Sequence, residues 1–254
     1  MNALHHRTIS IRPGLDLDVR VGGEGRPLLL LHGGPGPASV AALGEHLASH
    51  HRVVAPTHPG WEGTERPDEL DSVPALAAVY LELLDHLELS QVTVVGTSFG
   101  GWVATRIALD DRADRLSRLV LIDAIGPAVP GQQVTVPTAP PVTGPSSSPA
   151  NRSSEEGGPG ARTMATMRAY TGPDLQDPDL LPRLGAVALP VLVLWGGDDT
   201  VVTPDFGRAY AAAFPHSRFE LVPGAGHLPL REEPEAVFSH LDAFLAPQRR
   251  TAGP

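Results

Sequence analysis

The residue of this chain best set to do chemistry is Ser98, the centre of Gly96-Thr97-Ser98-Phe99-Gly100. That pentapeptide closes the short apolar run Val92 to Val95 and opens the run Phe99 to Leu109. A serine at a sharp turn from strand to helix, with glycines two positions to each side, is held in strained backbone with its Oγ exposed at the sheet edge. That is how a serine nucleophile is presented, and the chemistry it serves is covalent, with a base activating the hydroxyl. An acid and a base are available in comparable settings. Asp199 follows the apolar run Val191 to Trp195 after Gly196-Gly197-Asp198, and His227 ends Gly224-Ala225-Gly226-His227 after the run Arg218 to Val222. The plain alternative, a turn serine and a surface-loop histidine, has less support than the catalytic reading once the order of the motifs is considered.

These side chains must be positioned by the elements around them. Thr8 to Arg12 and Leu15 to Val21 alternate about Pro13-Gly14 and read as a hairpin at an antiparallel edge. Pro27 to Leu31 is a continuous apolar strand, as expected for one buried on both faces, and runs into His32-Gly33-Gly34-Pro35-Gly36. A helix over Ala38 to His50 and a strand over Arg52 to Pro56 follow, then a Gly- and Pro-rich loop from Thr57. Ser72 caps a helix on which Val73, Leu76, Ala77, Tyr80, Leu84 and Leu87 recur at helical spacing. Strand Val92 to Val95, helix Phe99 to Leu109 and strand Leu119 to Asp123 continue the alternation. It resumes with Val191 to Trp195, a helix capped by Thr203 over Pro204 to Phe214, strand Arg218 to Val222, and an amphipathic helix through Val237, Leu241, Phe244 and Leu245. Strand and helix in alternation predict an α/β fold, a mostly parallel sheet with helices on both faces. Ser98, Asp199 and His227 then lie just beyond the C-terminal ends of parallel strands, where ligands gather in such sheets.

Between the two halves of this pattern the composition changes. From Gly126 to Gly160 there are eight Pro, six Gly and five Ser, with little apolar periodicity, so this stretch is expected to be irregular or mobile. Ala161 to Tyr170 reads as a short helix with Met164, Met167 and Tyr170 on one side, and Leu180 to Leu184 as a further turn. The expected organisation is one domain over residues 1–254, a short lid insert over 124–184 within it, and a frayed tail over 247–254.

Bulk properties narrow the function classes. The chain has 254 residues, 41% hydrophobic, and 19 basic against 29 acidic side chains, a net charge of −10. That balance argues against a nucleic-acid partner or an anionic membrane surface. No apolar run approaches a membrane span, and Met1 to Gly14 lacks the apolar stretch of a secretory signal, so a cytoplasmic location is expected. With no cysteine there are no disulfides, thiolate nucleophiles or Cys-based metal sites. His5-His6 and His50-His51 have no third ligand at a recognisable spacing, so no metal is expected. Gly33 to Gly36 lacks the spacing of a dinucleotide loop and the Gly-Lys-Ser/Thr ending of a phosphate loop, which excludes nucleotide binding. No cofactor is implied; the partner expected is a small-molecule substrate.

Four motifs in order, His32-Gly33-Gly34-Pro35-Gly36, Gly96-Thr97-Ser98-Phe99-Gly100-Gly101, Trp195-Gly196-Gly197-Asp198-Asp199 and Gly226-His227, make the chain resemble the α/β-hydrolase family from about Leu15 to Leu245. The resemblance implies an α/β-hydrolase fold, an eight-stranded sheet with one antiparallel strand and a lid inserted after the sixth strand. It also implies acyl transfer: Ser98 attacks a carbonyl, His227 takes and returns the proton, and Asp199 orients the imidazole, with Asp123 as the reserve acid. The oxyanion donors implied are the backbone N–H groups of Phe99 and Gly34, ahead of Gly33. His32 is expected to support that loop. Met164, Met167 and Tyr170 are possible pocket residues, although ordinary packing of a lid helix explains them as well.

Serine as the nucleophile points to esters, thioesters, lactones, amides or activated C–C bonds. The His-Gly-Gly-Pro-Gly loop resembles that of proline iminopeptidases and of some C–C bond hydrolases. Thr57 stands where many relatives carry aspartate, Glu62 where many carry glycine, and Phe99 where iminopeptidases usually place tryptophan. Glu155 and Glu156 are the lid carboxylates available to a substrate amine. A small-ester carboxylesterase with a short lid and an open site is therefore the expectation. The other classes left open are an acyltransferase or perhydrolase using the same acyl-enzyme, and a non-catalytic receptor on the same fold.

Overall fold

The computed structural model describes residues 3–135 and 159–246. Eight strands form one sheet: β1 (His5–Arg12), β2 (Leu15–Gly22), β3 (Arg26–Leu31), β4 (His51–Pro56), β5 (Val92–Thr97), β6 (Leu116–Ile122), β7 (Val191–Gly196) and β8 (Ser217–Val222). Their spatial order is β1-β2-β4-β3-β5-β6-β7-β8. Only β2 runs against its neighbours; the pairs from β4 through β8 are parallel. This is the mostly parallel sheet that the strand and helix alternation predicted, and the α/β-hydrolase fold that the resemblance implied.

The central strands are apolar throughout because both sides of the sheet are covered. On β3, Leu29 and Leu31 enter one core while Leu28 and Leu30 enter the other. On β7 the split is Val191, Val193 and Trp195 against Leu192 and Leu194. Helices α1 (Ala41–Leu47) and the later α8 (Pro234–Leu245) cover one face; α2 (Val73–His86), α3 (Phe99–Asp110) and α6 (Pro204–Ala212) cover the other. Two of the predicted caps are present: the Ser72 hydroxyl accepts from the Ala75 N–H at 3.3 Å, and the Thr203 hydroxyl accepts from the Phe206 N–H at 3.3 Å.

Several boundaries differ from the sequence reading. The helix expected over Ala38 to His50 is a 3-10 turn, Pro37–Val40, followed by the shorter α1, and β4 begins at His51. β6 begins at Leu116, before its apolar stretch, because Arg118 pairs in register with Thr93 of β5. The insert between β6 and β7 carries α4 (Pro159–Thr171), the short α5 (Leu180–Arg183) and a 3-10 turn, Leu184–Ala186. Gly126–Pro127 pairs with Gln176–Asp177 as a two-residue parallel bridge, which closes the base of the insert. Most of the stretch expected to be irregular, with Glu155 and Glu156, lies outside the described residues, as does the tail over 247–254. Among the described residues no helix is long and apolar enough to cross a membrane. The last described helices are α7 (Pro229–Glu232) and α8, joined at Glu233.

Candidate active site

Ser98 sits between β5 and α3 with φ +48° and ψ −116°, a left-handed backbone that a non-glycine residue adopts only under constraint. The constraint is visible. The Ser98 N–H donates to the Ile122 carbonyl at 2.9 Å, and the Ser98 carbonyl accepts from Gly101 at 3.0 Å and Ile125 at 3.3 Å. The flanking glycines allow the crossing: a Cβ on Gly96 would lie 2.3 Å from the Gly100 carbonyl oxygen, and one on Gly100 would lie 2.4 Å from the carbonyl oxygens of Leu31 and His32.

The turn aims the serine at the histidine. Ser98 Oγ is 3.0 Å from His227 Nε2, and His227 Nδ1 is 2.8 Å from Asp199 Oδ2. With Nδ1–H donating to the carboxylate, Nε2 is left as an acceptor facing the Ser98 hydroxyl. Asp199 is buried, 3% exposed, and its Oδ1 accepts from the N–H groups of Val201 at 2.8 Å and Val202 at 3.1 Å. Three N–H donors thus converge on this one carboxylate.

Asp123 lies immediately behind this arrangement. It is 1% exposed, and its Oδ1 accepts at 2.8 Å from the N–H of Gly196, the residue whose carbonyl accepts from the Asp199 N–H at 3.3 Å. Its carboxyl is pushed well above the usual range, first by burial and then by the Asp199 charge. Both candidate acids therefore meet at one place, and Asp199 is the one bonded to His227.

Two N–H groups beside the serine have no partner among the described residues, those of Gly34 and Phe99. Phe99 opens α3, where a helix has no carbonyl for its first N–H groups. The loop holding Gly34 is fastened by Trp61, whose Nε1–H donates to the Gly34 carbonyl at 2.9 Å. Gly33 is packed against the nucleophile, since a Cβ there would lie 3.0 Å from Ser98 Cβ.

His32 has the supporting position expected, and it has a partner that sequence reasoning missed. The His58 N–H donates to His32 Nε2 at 3.0 Å, His58 Nε2–H donates to the His32 carbonyl at 2.8 Å, and His32 Nδ1–H donates to the Gly33 carbonyl at 2.7 Å. The Tyr80 hydroxyl completes the chain at His58 Nδ1. Burial lowers His32 to about 4 and His58 well below the usual imidazole value, so both rings are neutral, each in one tautomer. The signal available in sequence was a histidine directly after the end of a strand, inside Thr57-His58-Pro59-Gly60.

A cavity of about 450 Å³ opens at Ser98 and His227. Its wall is mostly apolar, from Pro35, Ala38, Ala42, Ile122, Leu228 and Leu230, and Arg231 stands at it as well. Arg231 has no ion-pair partner among the described residues. Met164, Met167 and Tyr170, expected as pocket residues, do not line this cavity. Met167 and Tyr170 are buried in the core, with Tyr170 stacked on Trp61 and its hydroxyl donating to the Pro59 carbonyl at 3.0 Å, and Met164 packs against the same cluster. α4 thus braces the back of the oxyanion loop, because its apolar side meets the aromatic cluster of Trp61 and Phe99.

Comparison with known proteins agrees with the fold. The profile of the Alpha/beta hydrolase family matches residues 28–240. A 2-hydroxy-6-oxo-2,4-heptadienoate hydrolase of Pseudomonas putida is 36% identical over 118 residues, 44% of this chain and 42% of that protein. An uncharacterized protein of Mycobacterium tuberculosis, Rv2715, is 27% identical over 89% of this chain and 77% of its own. Among solved structures, a 2-hydroxy-6-oxo-6-phenylhexa-2,4-dienoate hydrolase of Rhodococcus superposes with TM-score 0.76 at 19% identity, covering 97% of this chain and all of that one. A thermophilic esterase of Thermogutta terrifontis superposes with TM-score 0.70 at 25% identity, covering 95% and 98%. The chain thus spans less than half the length of the first of these relatives and nearly the whole of both structures.

Proposed function

Because the chain belongs to the alpha/beta hydrolase family, we propose that it is a serine hydrolase that cleaves a small carboxylic ester through an acyl-enzyme on Ser98. The observation that carries this reading is the unbroken hydrogen-bond chain from Ser98 Oγ through His227 to Asp199. In the first half-reaction Ser98 Oγ attacks the ester carbon as His227 Nε2 takes its proton, leaving a tetrahedral adduct with a negative oxygen. The N–H groups of Gly34 and Phe99 receive that oxygen, and one such donor is worth roughly 3 to 4 kcal/mol of barrier. The imidazolium, stabilised by Asp199, then protonates the departing alkoxide. In the second half-reaction water, deprotonated by the same nitrogen, attacks the acyl-enzyme and the proton returns to Ser98.

A second reading has an observation of its own. Arg231 gives the cavity an unpaired cation, which suits a substrate that bears a carboxylate away from the bond broken. The two dienoate hydrolases named above act, by their names, on carboxylate-bearing substrates, so cleavage of an activated C–C bond in a substrate with a distant carboxylate is the alternative.

The test is intact mass after a fluorophosphonate probe, with Ser98→Ala as the control and circular dichroism to check its fold. One adduct at Ser98, absent in the control, and turnover of nitrophenyl esters support the hydrolase reading. A folded protein that is neither labelled nor active on esters or dienoate acids overturns it in favour of a non-catalytic receptor. Adding amines, alcohols or peroxide to the ester assay separates hydrolysis from acyl transfer to another acceptor.

A further inference from the structure

A buried carboxyl that no step of this mechanism uses stands behind the triad. Asp123 follows β6 with its backbone held in a left-handed conformation, φ +42°, and its N–H donating to the Leu194 carbonyl at 3.0 Å. The next residue fixes the turn: a Cβ on Gly101 would lie 2.4 Å from that of Ala124, so the segment is wedged against the start of α3. Such a backbone is kept only where the surroundings determine it, and here it sets the carboxyl on the N–H of Gly196, whose carbonyl in turn accepts from the Asp199 N–H.

The hydrogen bonds then decide which of the two carboxyls is charged. Asp199 accepts from three N–H donors, whereas Asp123 accepts one, at Oδ1, and its buried Oδ2 has no partner that donates to it. An ionised oxygen with no donor in a buried site is strongly disfavoured, and two carboxylates in contact do not both ionise. A proton on Oδ2 removes both difficulties, because the O–H can donate to the Asp199 carboxylate. The groups facing Asp123 fit this: Asp199 and, more distantly, Glu232 are both acids, and the Gly196 N–H is the one donor.

We propose that Asp123 is a neutral carboxylic acid whose Oδ2–H donates to Asp199, making it a positioning residue that holds the triad carboxylate in line with His227. The donor also draws charge from Asp199, so that the carboxylate orients the imidazole without over-stabilising its protonated form. The positioning role rests on the triad reading above; the protonation state does not.

The test uses the full chain with Asp123→Asn and Asp123→Ala, following the His227 ring resonances by NMR as a function of pH, a measurement that needs no substrate. The Asn variant keeps an acceptor for Gly196, a donor for Asp199 and the same charge, so the ring resonances should move at the same pH as in the wild type, to within about 0.3 units. The Ala variant loses the donor and should move that pH upward by about half a unit, the size of one neutral hydrogen bond. A downward move of about one unit or more in both variants would mean that a negative charge had been removed, and would overturn the neutral acid. No move in either variant, with only the stability of the Ala form reduced, overturns the positioning role. Should the Ala variant not fold, the infrared C=O band of a protonated carboxyl at pH 7 is the second measurement. It should be present in the wild type and missing in the Asn variant, and its absence from the wild type overturns the proposal. Esterase activity enters none of these outcomes, so a failure of the proposed function leaves them readable.

Discussion

The backbone N–H of His58 donates to Nε2 of His32 across 3.0 Å, and the His58 ring returns a hydrogen bond to the His32 carbonyl at 2.8 Å. This reciprocal pair ties the loop after β4 to the loop that carries Gly33 and Gly34. Every ring nitrogen in it has an assigned role, so neither ring can accept a proton without breaking a bond.

A pH dependence follows, with a definite sign. An unfolded histidine titrates near 6.5, whereas His32 in the fold is lowered to about 4 and His58 also lies well below. Between those values the unfolded chain takes up protons that the folded chain refuses, so the stability these two rings contribute is complete above about pH 6.5 and is lost as pH falls toward 4. Denaturant titrations should show the loss, with unfolding taking up protons at pH 5. His58→Gln should reduce that uptake, and should lower kcat by roughly 10- to 100-fold with less effect on KM, as a loosened oxyanion donor would. A proton uptake on unfolding at pH 5 that is the same in the wild type and in His58→Gln would contradict the assignment.

Glycine substitutions should separate close approach from mere loop composition. A Cβ on Gly196 would lie 2.0 Å from the Gly226 carbonyl oxygen, and one on Gly100 would lie 2.4 Å from the carbonyl oxygens of Leu31 and His32. These are backbone atoms that cannot swing aside, so Gly196→Ala and Gly100→Ala should each cost more than about 4 kcal/mol or abolish soluble expression. Gly185, with nothing within 4 Å of where an added methyl group would sit, is the control. Gly185→Ala should stay within about 0.5 kcal/mol of the wild type in thermal or urea unfolding.

The same distinction explains what was legible in the sequence. Ser98, Asp199 and His227 could be placed because each follows the C-terminal end of a strand within a short turn, and a parallel sheet brings such ends together. The His58 network could not, because its partners are 22 and 26 residues away and its segment has the Gly and Pro content of an ordinary loop. Periodicity put Met167 and Tyr170 on one side of a helix, and that side is buried. What it does not carry is the identity of the neighbour, which is the aromatic cluster rather than the cavity. The cavity wall comes mainly from the 3-10 turn and first residues of α1 and from Leu228 with the four-residue α7, elements too short to show a period. The start of β6 is hidden for a related reason: Arg118 is there for strand pairing rather than for burial, and Ser117 sits at the register shift beside it.

Asp123 contributes a pH dependence of the opposite sign to that of the histidines. Burial, then the neighbouring Asp199 charge, raise its carboxyl well above the ordinary value of 3.8. A group raised in the fold contributes stability that is fully present below its unfolded value and is lost as pH rises toward its folded one. Asparagine needs no proton, so Asp123→Asn should melt higher than the wild type at pH 7, and the difference should close as pH falls toward 4. Melting curves of the two proteins at pH 4, 5.5 and 7 check this. A difference that grows at low pH would mean that the carboxyl is not raised.

Arg231 decides which substrates the cavity favours. It stands at a largely apolar wall beside Ser98 and His227, on a chain whose net charge is −10, so an anion approaching this face meets one unpaired guanidinium against a repulsive background. Because the residue is exposed, salt weakens its attraction for a carboxylate, and the effect should be modest and dependent on ionic strength. Two esters of equal length, one ending in a carboxylate and one in a methyl amide, isolate that charge. Arg231→Ala should raise KM for the anionic ester about tenfold at low salt while leaving the neutral ester within about twofold, and kcat should change little for either. Arg231→Glu should extend the loss for the anion and leave the neutral ester unchanged. If both esters lose equally, the side chain shapes the wall through its aliphatic stem, and the preference for a carboxylate-bearing substrate is wrong.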